Sequence, residues 1–269
     1  MRVVLTRPAG DAQPWANGLR KAGHEVLLLP LIDIQAPADV RPIQNAWANL
    51  ADNQAVMFVS SNAVQFFMAQ RPVARRLEPQ AGTALPRAWV TGPGSQQTLL
   101  RLGWPGDKVD APSADAPQFD SPALWAQVHT QVQAGTRVLL VRGTSVPEIA
   151  TTKAAADAGG ANHWMAHQLH QAGASVAYCQ AYQRCAPVFT PEHQALAHRA
   201  TGPGVVWLFS SSEGLTHLQQ GVPGLQFQKT LALATHPRIA EHTRALGFKQ
   251  VTVVRPVLAQ VIASIESMA

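Results

Sequence analysis

The chain has 269 residues, 46% of them hydrophobic and only 14% charged. That is apolar material for one large or two ordinary cores, and it excludes a disordered or coiled-coil protein. Lys and Arg number 21 against 16 Asp and Glu, a formal charge of +5; the basic residues are scattered, which excludes a nucleic-acid stripe and leaves a mild positive field suited to a small polyanion or simply to solubility.

The elements alternate strand, short loop and helix. Val3–Leu5 predicts a strand, Thr6–Asp11 a loop, and a helix follows to about Ala22, ended by Gly23. Glu25–Ile34 reads as the next strand, interrupted by Pro30, with a helix near Ile43–Leu50. Ala55–Val59 leads through Ser60-Ser61-Asn62 into a helix to about Met68. Ala88–Thr91 leads through Gly92-Pro93-Gly94-Ser95 into a helix to about Leu102, capped by Gly103. A short strand near Lys108–Asp110, a helix from Ser121 to about Gln133, and a strand Arg137–Val141 ending in Arg142-Gly143 come next. Thr144–Asn162 is rich in Ala, Thr and Gly and reads as a surface loop, or as an extra helix over Ile149–Ala158. Ser175–Tyr182 is a strand that closes at Arg184. Val205–Phe209, Leu231–Ala234 and Gln250–Val254 are the last strands; the helix before the third ends at Leu246-Gly247, and a final helix closes the chain. Such alternation implies parallel sheets of the doubly wound type.

The pattern repeats. Phe58–Val64 echoes Leu208–Leu215, and Gly92 to Gly103-Trp104 echoes His236 to Gly247-Phe248. One flavodoxin-like unit therefore occurs twice. The expected fold is α/β, two flavodoxin-like doubly wound parallel-sheet domains joined by a two-stranded linker. Residues 1–36 and 187–269 form the first, residues 37–180 are inserted as the second, and the crossings lie near 32–38 and 180–187.

In such sheets ligands bind at the carboxyl ends of the strands, where helix N-termini offer free amides to anions. Those ends carry Thr6-Arg7, Ser60-Ser61-Asn62, Gly92-Pro93-Gly94-Ser95, Arg142-Gly143, Ser210-Ser211-Ser212 and, around Pro237, His236 and Arg238. Taken singly, each Ser, Thr or Asn also reads as an ordinary N-cap. Taken as a set around one cleft, they can grip many carboxylates without many charged side chains. Gly92-x-Gly94 lacks the third glycine of a dinucleotide fingerprint, and there is no phosphate loop or nucleophile elbow. His163, His167 and His170 share helical spacing but lack the glutamate of a zincin, so neither a metal nor a cofactor is expected. Tyr182 is one of two tyrosines and precedes Arg184 by two residues. Its phenol could donate a proton, although spacing alone favours a packed tyrosine with a capped hydroxyl. Cys179 and Cys185 make no disulfide framework, which suits a reducing cytosol. The sequence runs straight into a strand without a signal peptide, and no apolar run approaches the ~20 residues that span a bilayer.

Several segments, in order along most of the chain, resemble the uroporphyrinogen-III synthase family. They are Val4-Leu5-Thr6-Arg7-Pro8 with Leu29-Pro30-Leu31-Ile32, then Leu140-Val141-Arg142-Gly143, then Val176–Pro187, where a tyrosine precedes x-Arg, then Ser210–Ser212 and Pro237-Arg238-Ile239-Ala240. The resemblance implies two domains with a substrate cleft between them and a cyclising hydro-lyase without cofactor. Its substrate is hydroxymethylbilane, a polycarboxylate tetrapyrrole, and its product in haem biosynthesis is uroporphyrinogen III, formed with inversion of ring D through a spiro intermediate. It implies Tyr182 as the acid that assists loss of the hydroxyl, and Ser95 as a hydroxyl near the substrate. The protein is further expected to be a cytoplasmic monomer, able to receive substrate by transient hand-over from hydroxymethylbilane synthase, with no nucleic-acid or membrane partner. Two positions depart from the family pattern: Asn162-His163-Trp164 stands near an expected arginine, and Ile239 stands where some relatives carry a hydroxyl. The rival readings are a two-domain cytoplasmic small-anion-binding protein without catalysis, and a flavin or nucleotide enzyme, against which the missing phosphate loop counts.

Overall fold

The computed structural model describes residues 1–73, 85–145 and 161–268. In chain order the strands are β1 (Arg2–Leu5), β2 (Glu25–Leu28), β3 (Asp33–Gln35), β4 (Ala55–Phe58), β5 (Arg87–Val90), β6 (Val109–Asp110), β7 (Arg137–Ser145), β8 (Ser175–Cys185), β9 (Val205–Phe209), β10 (Leu231–Ala234) and β11 (Gln250–Val253). The helices are α1 (Ala9–Lys21), α2 (Arg41–Ala48), α3 (Ser61–Ala69), α4 (Pro93–Arg101), α5 (Ser121–Val128), α6 (Ala161–Gln171), α7 (Pro191–Arg199), α8 (Ser212–Gly221), α9 (Pro237–Ala245) and α10 (Leu258–Glu266). The chain divides into two compact units, Met1–Asp33 with Cys185–Ala269, and Ile34–Arg184. Among the described residues no helix is long and apolar enough to cross a membrane.

The first unit holds a sheet in the order β11-β10-β9-β1-β2 with every pairing parallel. Numbered within the unit, that is 2-1-3-4-5, the flavodoxin order. Strand residues alternate between two cores, as a pleat with period two requires. Val205, Trp207 and Phe209 face one cluster with α8 and α9. Val206 and Leu208 face the other with α1 and α10. Both faces are thus covered, which is why β9 reads as an unbroken apolar run. Trp207, fully buried, satisfies its indole by donating to the Ala200 carbonyl at 2.9 Å.

The second unit holds the order β3-β8-β7-β4-β5-β6. Strands β8, β7, β4, β5 and β6 repeat the 2-1-3-4-5 order, with the chain entering at the third strand instead of the first. Val56 and Phe58 face a cluster with Trp47, Phe67 and Trp104; Ala55 and Met57 face another with Leu124, Val128, Met165 and Leu169. Trp47 donates to the Phe67 carbonyl at 2.7 Å and stacks on the Phe67 ring. The short edge strand β6 is pinned by the Arg87 guanidinium, which donates to both Asp110 carboxylate oxygens at 2.6 and 2.7 Å.

The structure corrects several expectations of strand and loop bounds. Glu25–Ile34 is two strands in two sheets, not one. The Leu29 and Leu31 amides continue along β1, bonding the Leu5 and Thr6 carbonyls, while Pro30 has no amide to give; the chain then leaves to form β3 beside β8. Arg142 and Gly143 do not end a strand: β7 runs on to Ser145, pairing with β8 throughout. Thr144 and Ser145 of the expected surface loop therefore belong to β7, and Ala161 and Asn162 to α6; residues 146–160, with the alternative helix over Ile149–Ala158, lie outside the described residues.

Candidate active site

In a doubly wound sheet the crevice opens where the strand order reverses. In the second unit that point lies between β7 and β4. Ser60 follows β4 with φ −164° and ψ 165°, so it is an extended N-cap, and its Oγ accepts the Ala63 amide at 3.1 Å. The same Oγ lies 3.0 Å from the phenol oxygen of Tyr182 on β8. Tyr182 is 3% exposed, whereas Ser60 is half-buried.

Two devices bring the tyrosine there. The register runs Arg142 opposite Gln180 and then Gly143 opposite Tyr182, so Ala181 is an extra residue, a β-bulge. Strict alternation would send Ala181 and Tyr182 to opposite faces. The bulge lets both pack in the cluster that holds Phe58 and Trp104. The second device is Gly143. A Cβ there would collide with Cε2 and Cζ of the Tyr182 ring, so the ring lies directly on the glycine backbone. Phe66 of α3 stacks on the Tyr182 ring, with ring centroids 6.0 Å apart. The arginine two residues on is also fixed, since Arg184 donates to Ser145 Oγ at 2.9 Å.

The other predicted residues of this unit sit at helix starts or in the ladder. Ser61 and Asn62 form the first turn of α3. Gly92 is the N-cap of α4, while Pro93, Gly94 and the buried Ser95 lie inside its first turn, not in a loop before it. Proline at the first position removes only an amide that the helix would leave unbonded. Arg142 projects its guanidinium over the Tyr178 ring, 5.2 Å from the centroid.

In the first unit the reversal lies between β1 and β9. Thr6 donates to the Leu208 carbonyl at 2.7 Å, so its hydroxyl ties the two strand ends together. Arg7 lays its guanidinium 4.2 Å from the Trp15 ring centroid. Burial pushes its pKa down, and the negative charge of Asp11 works against that. Ser210 ends the strand, and Ser211 caps α8 by accepting the Gly214 amide at 3.4 Å. Ser212 opens α8 with its Oγ buried. His236 caps α9, its Nδ1 accepting the Arg238 amide at 3.2 Å, while the Arg238 side chain is exposed. The two units cap this helix alike: Ser60 corresponds to Ser211, because each accepts the amide three residues on. Among the described residues no group of three His, Cys, Asp or Glu could hold a metal ion.

Residues 13–260 match the family model described as uroporphyrinogen-III synthase HemD. The chain belongs to the uroporphyrinogen-III synthase family. A uroporphyrinogen-III synthase from Salmonella typhimurium is 26% identical over 257 residues, covering 94% of each chain. One from Synechococcus elongatus is 27% identical over 210 residues, covering 78% of this chain and 70% of that one. The crystal structure of a mutant uroporphyrinogen III synthase from the extremely thermophilic bacterium Thermus thermophilus superposes with a TM-score of 0.54 at 15% identity, covering 100% of both chains. At that identity the likeness shows the fold alone.

Phe66, the Ala181 bulge and the seat at Gly143 are what sequence reasoning missed. Gly143 was expected to offer an amide; its lack of a side chain matters as well. An Arg-Gly pair ahead of a Tyr-x-Arg strand was visible, but nothing in it gave the register that sets glycine under tyrosine.

Proposed function

We propose that the chain is a cyclising hydro-lyase of tetrapyrrole biosynthesis, converting hydroxymethylbilane to uroporphyrinogen III, and that Tyr182 is its acid. Family membership favours this over an anion-binding protein without catalysis. The observation that carries the acid assignment is the phenol itself, held between Gly143, Phe66 and Ser60 at the point where the sheet order reverses.

The chemistry asks little of the protein. The pyrrole nitrogen of the substrate expels the hydroxyl group of the terminal hydroxymethyl carbon. A proton delivered to that oxygen makes it leave as water, and an azafulvene cation remains. The substituted position of the last ring then attacks, giving a spiro intermediate whose rearrangement inverts ring D. The enzyme must favour that closure over simple head-to-tail closure, by holding the chain curled. Such positioning is a matter of effective molarity. Helix N-termini suit it, because amides and the dipole bind carboxylates without mobile charges. In this reading Ser61, Asn62, Gly92, Pro93, Gly94, Ser95 and Arg142, and likewise Thr6, Arg7, Ser210, Ser211, Ser212, His236 and Arg238, are candidate substrate-binding residues. The net charge of +5 favours a polycarboxylate. Two unpaired cysteines suit the cytosol, and the chain is taken as a monomer that can receive substrate by hand-over from hydroxymethylbilane synthase.

The test is a coupled assay with freshly made hydroxymethylbilane. The parent chain gives uroporphyrinogen III well above the uncatalysed formation of the type I isomer. Type I product alone, at the uncatalysed rate, refutes the activity. Tyr182→Phe lowers kcat by about 100-fold, the usual lower bound for loss of a general acid, with little change in KM. Unchanged kcat removes the acid role and leaves the family assignment standing.

A further inference from the structure

Tyr182 is buried, and the hydroxyl next to its phenol belongs to the more exposed Ser60. We propose that Ser60 is a second catalytic residue, passing the Tyr182 proton to the departing hydroxyl of the substrate. The proposal rests on the acid role of Tyr182 given above.

A serine hydroxyl has one proton to donate and two lone pairs that accept. At Ser60 one lone pair takes the Ala63 amide, which fixes the oxygen at the start of α3. The second lone pair, 3.0 Å from the phenol oxygen, can accept the Tyr182 proton. The serine's own proton is then the one left over for a third group. The amide bond and the Gly143 seat hold both oxygens in place, so no reorganisation precedes transfer. When the substrate C–O bond breaks, its electron pair leaves on oxygen. The Ser60 proton moves to that oxygen, and water departs. The Tyr182 proton moves to Ser60 Oγ, which restores the serine hydroxyl and leaves a phenolate facing the azafulvene cation. Ring closure and recovery of pyrrole aromaticity release one proton. It returns through Ser60 to the phenolate, and the pair ends as it began.

The test separates this role from helix capping. Glycine is nearly as good an N-cap as serine, so Ser60→Gly removes the hydroxyl and keeps α3. Its thermal midpoint stays near that of the parent, while kcat falls by about 100-fold, as for loss of a proton-transfer group, with KM little changed. Ser60→Thr, which returns a hydroxyl to an extended backbone, recovers most of the turnover lost in Ser60→Gly. The double variant with Tyr182→Phe is no slower than the slower single variant, because both changes cut one proton path. A parental kcat in Ser60→Gly beside a damaged Tyr182→Phe overturns the relay and leaves the tyrosine as sole acid. Losses that multiply in the double variant overturn it too, since they mark independent roles. A parental kcat in both single variants removes the tyrosine assignment and the relay with it.

Discussion

Tyr182 stands where it does partly because atoms are absent opposite it. Gly143 has no Cβ, and the ring occupies that space. Gly143→Ala must therefore push the ring off the strand and disturb its contacts with Phe66 and Ser60. Overpacking of this kind costs about 1–3 kcal/mol of stability. A misplacement of about 1 Å costs on the order of 100-fold in rate. The expected variant is folded, somewhat less stable in a thermal melt, and slower by that order in kcat. A Gly143→Ala enzyme with parental kcat would show that the ring's seat is immaterial to turnover. A second residue gives a pH signature. Cys179 is buried, and burial pushes its thiol up from 9.0 to about 11. Between those values the folded chain keeps a proton that the unfolded chain has lost. Unfolding then releases a proton, so stability falls as pH rises through that window and is unaffected by this group below it. Urea unfolding midpoints measured from pH 9.0 to about 11 should fall more steeply for the parent than for Cys179→Ala; equal slopes would assign the alkaline loss to other groups.

At the scale of elements, what the sequence could tell depended on how local the cause was. Strands β9 and β10 fall where the apolar runs Val205–Phe209 and Leu231–Ala234 put them, since burial on both faces leaves an uninterrupted signal. Helix ends were equally legible: Gly103 and Gly247 adopt φ of 92° and 84° just past α4 and α9, a backbone that favours glycine. The failures in the strands are matters of pairing. Pro30 looked like a flaw within one strand, yet it marks where the chain passes from one sheet to the other. The end of β7 looked like Val141, yet pairing with β8 carries it to Ser145. The bulge at Ala181 leaves no mark in composition, because alanine suits either face; only the partner strand reveals two residues opposite one. The candidate site inherits this division. Ser60 and Tyr182 could be picked out one at a time from residue type and place in the chain. Their 3.0 Å contact across 122 residues could not.

For the whole molecule, the same sheet order is reached from two starting points along the chain. The unit Ile34–Arg184 enters at β4 and finishes with β7 and β8, so one continuous segment supplies all its strands from β4 to β8 and both its apolar clusters. The other unit closes only when Arg2–Leu5 lies between β2 and β9, strands that come from opposite ends of the chain. The repeat in the sequence betrayed the duplication because caps and terminal glycines recur at matching offsets. The strand order was not legible, since circularly shifted chains share those local signals. The two modes of assembly predict different behaviour for fragments. Residues 34–184 have the size at which a single domain buries about two-thirds of its unfolded surface. Expressed alone, they should unfold in one cooperative thermal transition, with near-ultraviolet dichroism from the buried Trp47, Trp89 and Trp104. Residues 185–269 lack the strand that covers Val206 and Leu208 beside β9. Alone they should show no such transition, and should gain one when residues 1–33 are joined to them through a short linker. A cooperative melt for 185–269 without that strand, or none for 34–184, would show that the units do not fold as the sheet topology divides them.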